Sequence, residues 1–202
     1  MGLNKPSVYC PSANPCFPSN AIVTKPDGSH ARIDSLKPGD SVLALSTDGS
    51  VKSDEVSILS IADAATPHAF VSLVTEANAK LNLTSEHHLA VGAKCCSALK
   101  KAKDVVVGDM VWIMSNSRPL PVAQKVASIS SVSDVGLHSP VLTHGGLPVV
   151  NGFVTAFDSI EVVKTAEAGL PAMLKLCEAT GTCDTVKTMF KAAGSLRRTR
   201  VG

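Results

Sequence analysis

LKPGDSVLAL, residues 36–45, returns sixty-nine positions later as VVVGDMVWIM, residues 105–114. Gly39 and Asp40 align with Gly108 and Asp109, and Val42 aligns with Val111. The likeness continues downstream. DEVSILSI (54–61) tracks QKVASISSV (124–132), and LVT (73–75) tracks VLT (141–143). In each copy a glycine-bearing turn feeds an apolar run of strand length. This repeat predicts two copies of one β-unit, related by a pseudo-twofold axis and burying a shared core.

Outward from these blocks, residues 16 to about 160 consist of short apolar runs. They are AIV (21–23), SVLALS (41–46), EVSILSI (55–61), FVSLVT (70–75), LNLT (81–84), HHLAVG (87–92), DMVWIMS (109–115), PVAQKVASISSV (121–132), PVLTHGGLPVVNG (140–152) and FVTAF (153–157). Turn residues punctuate them, as in KPDGSH at 25–30, where proline presets φ and glycine supplies a positive φ. The spacing predicts an all-β domain, either a sandwich or a closed, strongly twisted sheet. Beyond residue 160 the character changes to two short helices. Pro171 starts the first, Gly181 breaks it and Asp184 caps the second. Their apolar faces carry Met173, Leu174 and Cys177, then Val186, Met189 and Phe190. The expected organisation is a flanking segment 1–15, a β-domain 16–160 and a helical C-terminal extension 161–202 with a basic tail.

Composition narrows the class. With 45% hydrophobic and 18% charged residues in 202, the chain can bury a core and is not a disordered segment. A net charge of +2 gives no ground for nucleic-acid binding, and RRTR at 197–200 reads as a solvated tail. No apolar run reaches transmembrane length. MGLNKPSVYC lacks the apolar region of a signal peptide, and Pro6 stands where a myristoylation pattern wants Ser or Thr. Six cysteines (10, 16, 95, 96, 177, 183) permit disulfides without requiring them, and no CxxC exists to suggest zinc. Cys95, Cys96, Cys177 and Cys183 read most simply as packing thiols.

Cys16 is different. In NPCFPSNAIV (14–23) it follows a proline and opens the first strand unit. A thiol there is either a packing residue or a nucleophile aimed at the peptide bond in front of it. Further on, LTSEHHLAV (83–91) carries T-x-x-H at a strand end. Taken in order, CFPSNAIV, LKPGDSVLAL, LTSEHHLAV and VVNGFVTAF (149–157) resemble the Hint domain of hedgehog proteins and inteins. The hedgehog-type "hog" module is the nearer variant, and the resemblance spans roughly 16–160.

That resemblance implies self-cleavage in cis, one turnover per chain. An N–S acyl shift moves the Pro15 acyl group onto the Cys16 thiol through a five-membered ring, and intramolecular placement replaces a bimolecular encounter. The departing nitrogen needs a proton, which suits a histidine titrating near neutrality. The resemblance assigns this role to His87, with Thr84 polarising the scissile Pro15–Cys16 peptide. Adjacent strand residues face opposite ways, so the T-x-x-H register selects His87 over His88. A second nucleophile (water, a thiol or, as in hedgehog proteins, a sterol) then releases the chain's own N-terminal segment. No cofactor or metal is called for.

Several positions depart from the family pattern. The aspartate that activates the sterol in hedgehog proteins falls on Ile61 here, leaving Asp63 and His68 nearby as candidate second-step bases. A late hedgehog cysteine falls on Phe157. Both weigh against sterol transfer. Intein splicing lacks its terminal asparagine, because VVN runs on into Gly152 and Phe153. Pro15 stiffens a junction where the family often has glycine. His144 reads as a loop residue. Two alternatives stand beside autoprocessing: an inactive Hint module used for structure or binding, and a cysteine hydrolase acting in trans. By the same resemblance, the 161–202 extension would contact a membrane surface or cap the β-domain, and the secretory route is where such proteins travel.

Overall fold

The computed structural model describes residues 15–114 and 120–157, together with residues 160, 163, 164, 169, 179 and 180. The flanking segment 1–14, the basic tail and most of the expected helical extension lie outside the described residues, as do Cys177 and Cys183. Ile160, Val163, Lys164, Gly169, Ala179 and Thr180 each have helical backbone.

Among the described residues, eleven strands form one continuous ladder: β1 (Ile22–Thr24), β2 (His30–Arg32), β3 (Ser41–Leu45), β4 (Val51–Thr75), β5 (Lys80–Leu83), β6 (His88–Ala90), β7 (Leu99–Lys101), β8 (Met110–Ile113), β9 (Val122–Leu142), β10 (Leu147–Val150) and β11 (Phe153–Ala156). Their order is β2-β1-β10-β3-β4-β9-β8-β11-β6-β7, with β5 added to β4. Read inward from its two ends, that order matches β2 with β7, β1 with β6, β10 with β11, β3 with β8 and β4 with β9, with β5 left over, and the β10–β11 hairpin joins the halves.

The repeat seen in the sequence holds down to single hydrogen bonds. Short 3-10 turns at Ile33–Ser35 and Ala102–Asp104 precede β3 and β8. Gly39 donates to Val56 O at 2.8 Å and Gly108 to Val126 O at 2.8 Å. Asp40 donates its amide to Lys37 O and Asp109 to Val106 O, both at 3.1 Å. The two carboxylates accept the Lys37 and Val106 amides at 2.8 and 2.9 Å. Both glycines sit at φ 93°, the left-handed position that the third residue of such a turn requires and a Cβ resists. The main core draws on both halves: Phe17, Val23, Ile33, Val42 and Leu73 pack with Leu89, Val111, Val126 and Phe153.

The strand boundaries differ from expectation in an instructive way. EVSILSI and FVSLVT, expected as separate strands, are parts of the 25-residue β4. PVAQKVASISSV and the start of PVLTHGG are likewise merged in the 21-residue β9. These two strands form an antiparallel ribbon with register shifts near Ile61, Asp63 and Val74. Its middle is mostly exposed, so no burial imposes apolar alternation there, and ADAATPHA reads as a break in the sequence. Strands β2 and β7 went unread for a related reason. They are short, largely polar ends of the ladder. Cys95 and Cys96, expected as separate packing thiols, are buried and joined to each other by a disulfide.

Candidate functional site

Cys16 lies between two anchors. Its amide donates to the Thr84 hydroxyl at 2.9 Å, and the Thr84 amide donates to the Cys16 carbonyl at 2.9 Å. One residue on, Phe17 and His138 exchange backbone hydrogen bonds at 2.8 and 2.9 Å. The chain behind the thiol is therefore a one-pair extension of β9, and the thiol itself is pinned to the end of β5. Both Cys16 (2% exposed) and Thr84 (0%) are buried.

The Cys16 side chain packs against Phe70, Leu137 and Val132. These are apolar neighbours, and desolvation pushes the thiol pKa up to about 12. The resting group is a neutral thiol.

Thr84 and His87 belong to a turn between β5 and β6, where the His87 amide donates to Thr84 O at 3.0 Å. The His87 ring packs on Phe17 with centroids 4.0 Å apart. It is fully buried, and neither ring nitrogen has a hydrogen-bond partner among the described residues. Burial, with a smaller repulsion from His88, lowers its pKa to about 3. The expectation of a histidine titrating near neutrality is corrected here. His87 rests as a neutral imidazole, the state that can accept a proton. His88, the first residue of β6, is also buried.

A family model for the Hint module matches residues 5–192. The chain belongs to the Hint family. The Hint chain is 30% identical over 166 residues to the Tiggy-winkle hedgehog protein of Danio rerio, covering 80% of this chain and 40% of that protein. It is 27% identical to Protein qua-1 of Caenorhabditis elegans, covering 72% of this chain and 14% of that one. It thus spans less than half the length of these curated relatives. Among solved structures, the Ssp DnaB mini-intein variant M86 superposes with a TM-score of 0.62 at 12% identity, over 74% of this chain and 97% of the intein. A bacterial intein-like domain from Clostridium thermocellum gives 0.58 at 15% identity, over 71% of this chain and 98% of that domain. At these identities the likeness is one of fold.

Within this Hint module the structure brings Cys16, Thr84 and His87 into one linked unit through Thr84 and Phe17. It places Asp63 and His68 elsewhere, on the flank of the ribbon. His68 Nε2 lies 3.3 Å from Asp63 Oδ2, and the Thr66 hydroxyl bonds both side chains. Those bonds, with the Ala65 and Thr66 amides, hold the Asp63 carboxyl well below its ordinary range. His68 shares a strand face with Phe70, and Asp63 pairs with Leu137, so both flank residues that cover Cys16. Ile61 is 52% exposed, opposite His138.

His138 is a neighbour the sequence did not reveal. It pairs with Phe17, faces the Ser19 hydroxyl at 3.5 Å and is buried. Partial burial lowers its pKa, against a weaker pull from Asp34. Nothing local in VGLHSPV marks it, because its partner is 121 residues away in the chain. His144 is not a bare loop residue either. Its ring and amide both bond the buried Asp54 carboxylate, at 2.9 and 3.0 Å, beside the end of the ribbon where Val56 pairs with Leu142.

Proposed function

We propose that this Hint module cleaves its own chain at Pro15–Cys16 through a thioester. The reading rests on one observation above all: the nitrogen of that peptide bond donates its hydrogen to the Thr84 hydroxyl in a buried site. The Cys16 sulfur attacks the Pro15 carbonyl carbon, a C–S bond forms, the C–N bond breaks, and the thiol proton ends on the freed Cys16 nitrogen. Neutral His87 is suited to carry that proton, as base toward the thiol and then acid toward the nitrogen. Thr84 orients the leaving nitrogen and holds Cys16 at both backbone groups. Water or an added thiol then releases the 1–15 segment. The Asp63–His68 pair is the candidate base for activating that second nucleophile. The flank 1–15, processing domain 16–160 and extension 161–202 are the matching division of labour.

Burial of Cys16 also disfavours a hydrolase working in trans, since a separate substrate cannot reach a thiol with 2% exposure. An inactive module is the second reading, favoured by a thiol raised to about 12 beside a histidine lowered to about 3.

Intact-mass spectrometry of the purified chain decides between them, run with and without dithiothreitol or hydroxylamine, with sterol as a separate arm. Loss of the first fifteen residues, accelerated by thiol and abolished in Cys16→Ala, supports autoprocessing. A full-length mass under every condition leaves the inactive module. A sterol adduct on the released segment would identify the acceptor.

A further inference from the structure

Strand register gathers a polar set on the ribbon face that covers the nucleophile. Phe70 pairs with Val132, His68 with Asp134, and Ser72 with Asn82. Cross-strand partners share a face, and so do residues two apart along a strand. Phe70 belongs to the apolar cluster of Cys16 and Val132 packs against that cluster, so Asp134 and Asn82 lie on the ribbon face that carries it.

The Asp134 carboxylate adds a second link between the two segments that the Cys16–Thr84 pair joins. It accepts the Asn20 side-chain amide at 3.2 and 3.3 Å, and the Asn82 side-chain amide at 3.3 Å. Its own strand adds the Val135 amide at 2.9 Å. Asn20 stands four residues after Cys16, and Asn82 two residues before Thr84. The Asn82 carbonyl oxygen has no partner among the described residues, so the bond to Asp134 is what orients that amide. Beside it, Ser19 donates its amide to Val135 O at 2.8 Å.

We propose that Asp134 is a positioning residue for the acyl shift: it straps the segment behind Cys16 and the strand end ahead of Thr84 to one point on the ribbon. The hydrogen bond between the Cys16 amide and the Thr84 hydroxyl is then held from both sides. This rests on the autoprocessing reading above. The bonds are charge-assisted, so they are stiffer than amide–amide contacts. Asn20 is exposed and Asp134 half-buried, outside the packed core. Their loss should disturb placement more than folding, and placement errors on the order of 1 Å can cost a reaction about 100-fold.

The test is a donor–acceptor swap. Asp134→Asn leaves one accepting oxygen where there were two, so the Asn20 and Asn82 amides compete for it, and Asn20→Asp sets two carboxylates against each other. The combined variant restores an amide–carboxylate pair with the roles exchanged. Cleavage is followed against dithiothreitol concentration. Each single variant is expected to lower the plateau rate at least tenfold while leaving the half-saturating thiol concentration and Tm nearly unchanged. The double variant is expected to return to within about threefold of wild type. Singles at wild-type rate, or a double variant as slow as the two losses multiplied, would overturn the proposal. If wild type never cleaves, the autoprocessing reading falls by itself, and amide hydrogen exchange decides the strap. Exchange at Phe17 and Ser19 at least tenfold faster in Asp134→Asn upholds it; equal exchange removes it.

Discussion

Thr84 holds Cys16 by both of its backbone groups, its hydroxyl 2.9 Å from the Cys16 nitrogen and its amide 2.9 Å from the Cys16 oxygen. A residue gripped this way cannot turn its peptide plane without breaking a buried hydrogen bond. The plane that is fixed belongs to the bond proposed to break. Thr84 is therefore tied to the chemistry and to the stability of the site together.

Thr84→Val should separate those two contributions from Thr84→Ser. Valine keeps the shape but leaves the Cys16 amide unpaired, a cost of about 1–3 kcal/mol. Thiol-induced cleavage should slow by about tenfold or more, and urea unfolding should show the stability loss. Serine keeps the oxygen and should retain most of both. Equal cleavage rates in valine and wild type would remove Thr84 from the reaction.

His87 predicts an acid limit on stability. Its pKa is about 3 folded, against 6.5 for the free side chain. Between these values the unfolded chain binds a proton that the folded chain does not, so stability rises with pH. The contribution is complete above about pH 6.5 and is lost as pH falls toward 3, on the order of 3–5 kcal/mol. His138, also lowered, acts in the same direction. Urea midpoints from pH 7 to pH 4 should fall steeply in wild type and less steeply in His87→Gln.

Cys16 sets the opposite edge. Its thiol ionises at about 12 folded against 9.0 free. Above pH 9 the unfolded chain releases a proton that the folded chain keeps, so stability falls as pH rises from about 9 to 12. Cys16→Ala should flatten that alkaline loss in a thermal series from pH 8 to pH 11. An unchanged slope would show that the thiol is not desolvated as its packing indicates.

Gly39 and Gly108 should be energetically equivalent. Both have φ 93°, and a Cβ added to either would meet nothing within 4 Å. Alanine there costs backbone strain alone, roughly 1–2 kcal/mol at each position. The two losses should add, since the turns share no hydrogen-bond partner. Denaturant titrations of both singles and the double would expose any inequality between the halves.

Asp54 is a larger structural test, away from Cys16. It is 1% exposed, and its carboxylate accepts the amides of Glu55, His144 and Gly146 and the His144 ring. Asp54→Ala strands those amides and should cost about 2–4 kcal/mol. Thiol-induced cleavage by the folded fraction should be unaffected, because the groups this carboxylate holds, on Glu55, His144 and Gly146, are none of those that hold Cys16.

The sequence by itself determined the repeat and the all-β class, and its resemblance to Hint domains nominated Cys16, Thr84 and His87. The first two are local signals: glycine at a left-handed turn and apolar runs forced by burial. The tertiary structure decided the rest. It joined four expected strands into two, because residues 61–67 of β4 are held by ladder bonds while mostly exposed, so burial does not shape their sequence. It lowered His87 and raised Cys16, because pKa follows desolvation by residues distant in the chain. It placed His138 and Asp134 against the segment that follows Cys16, because strand register brings together positions more than a hundred residues apart. Short-range chemistry is written in neighbouring letters; electrostatics and positioning arise only once the two halves close on each other.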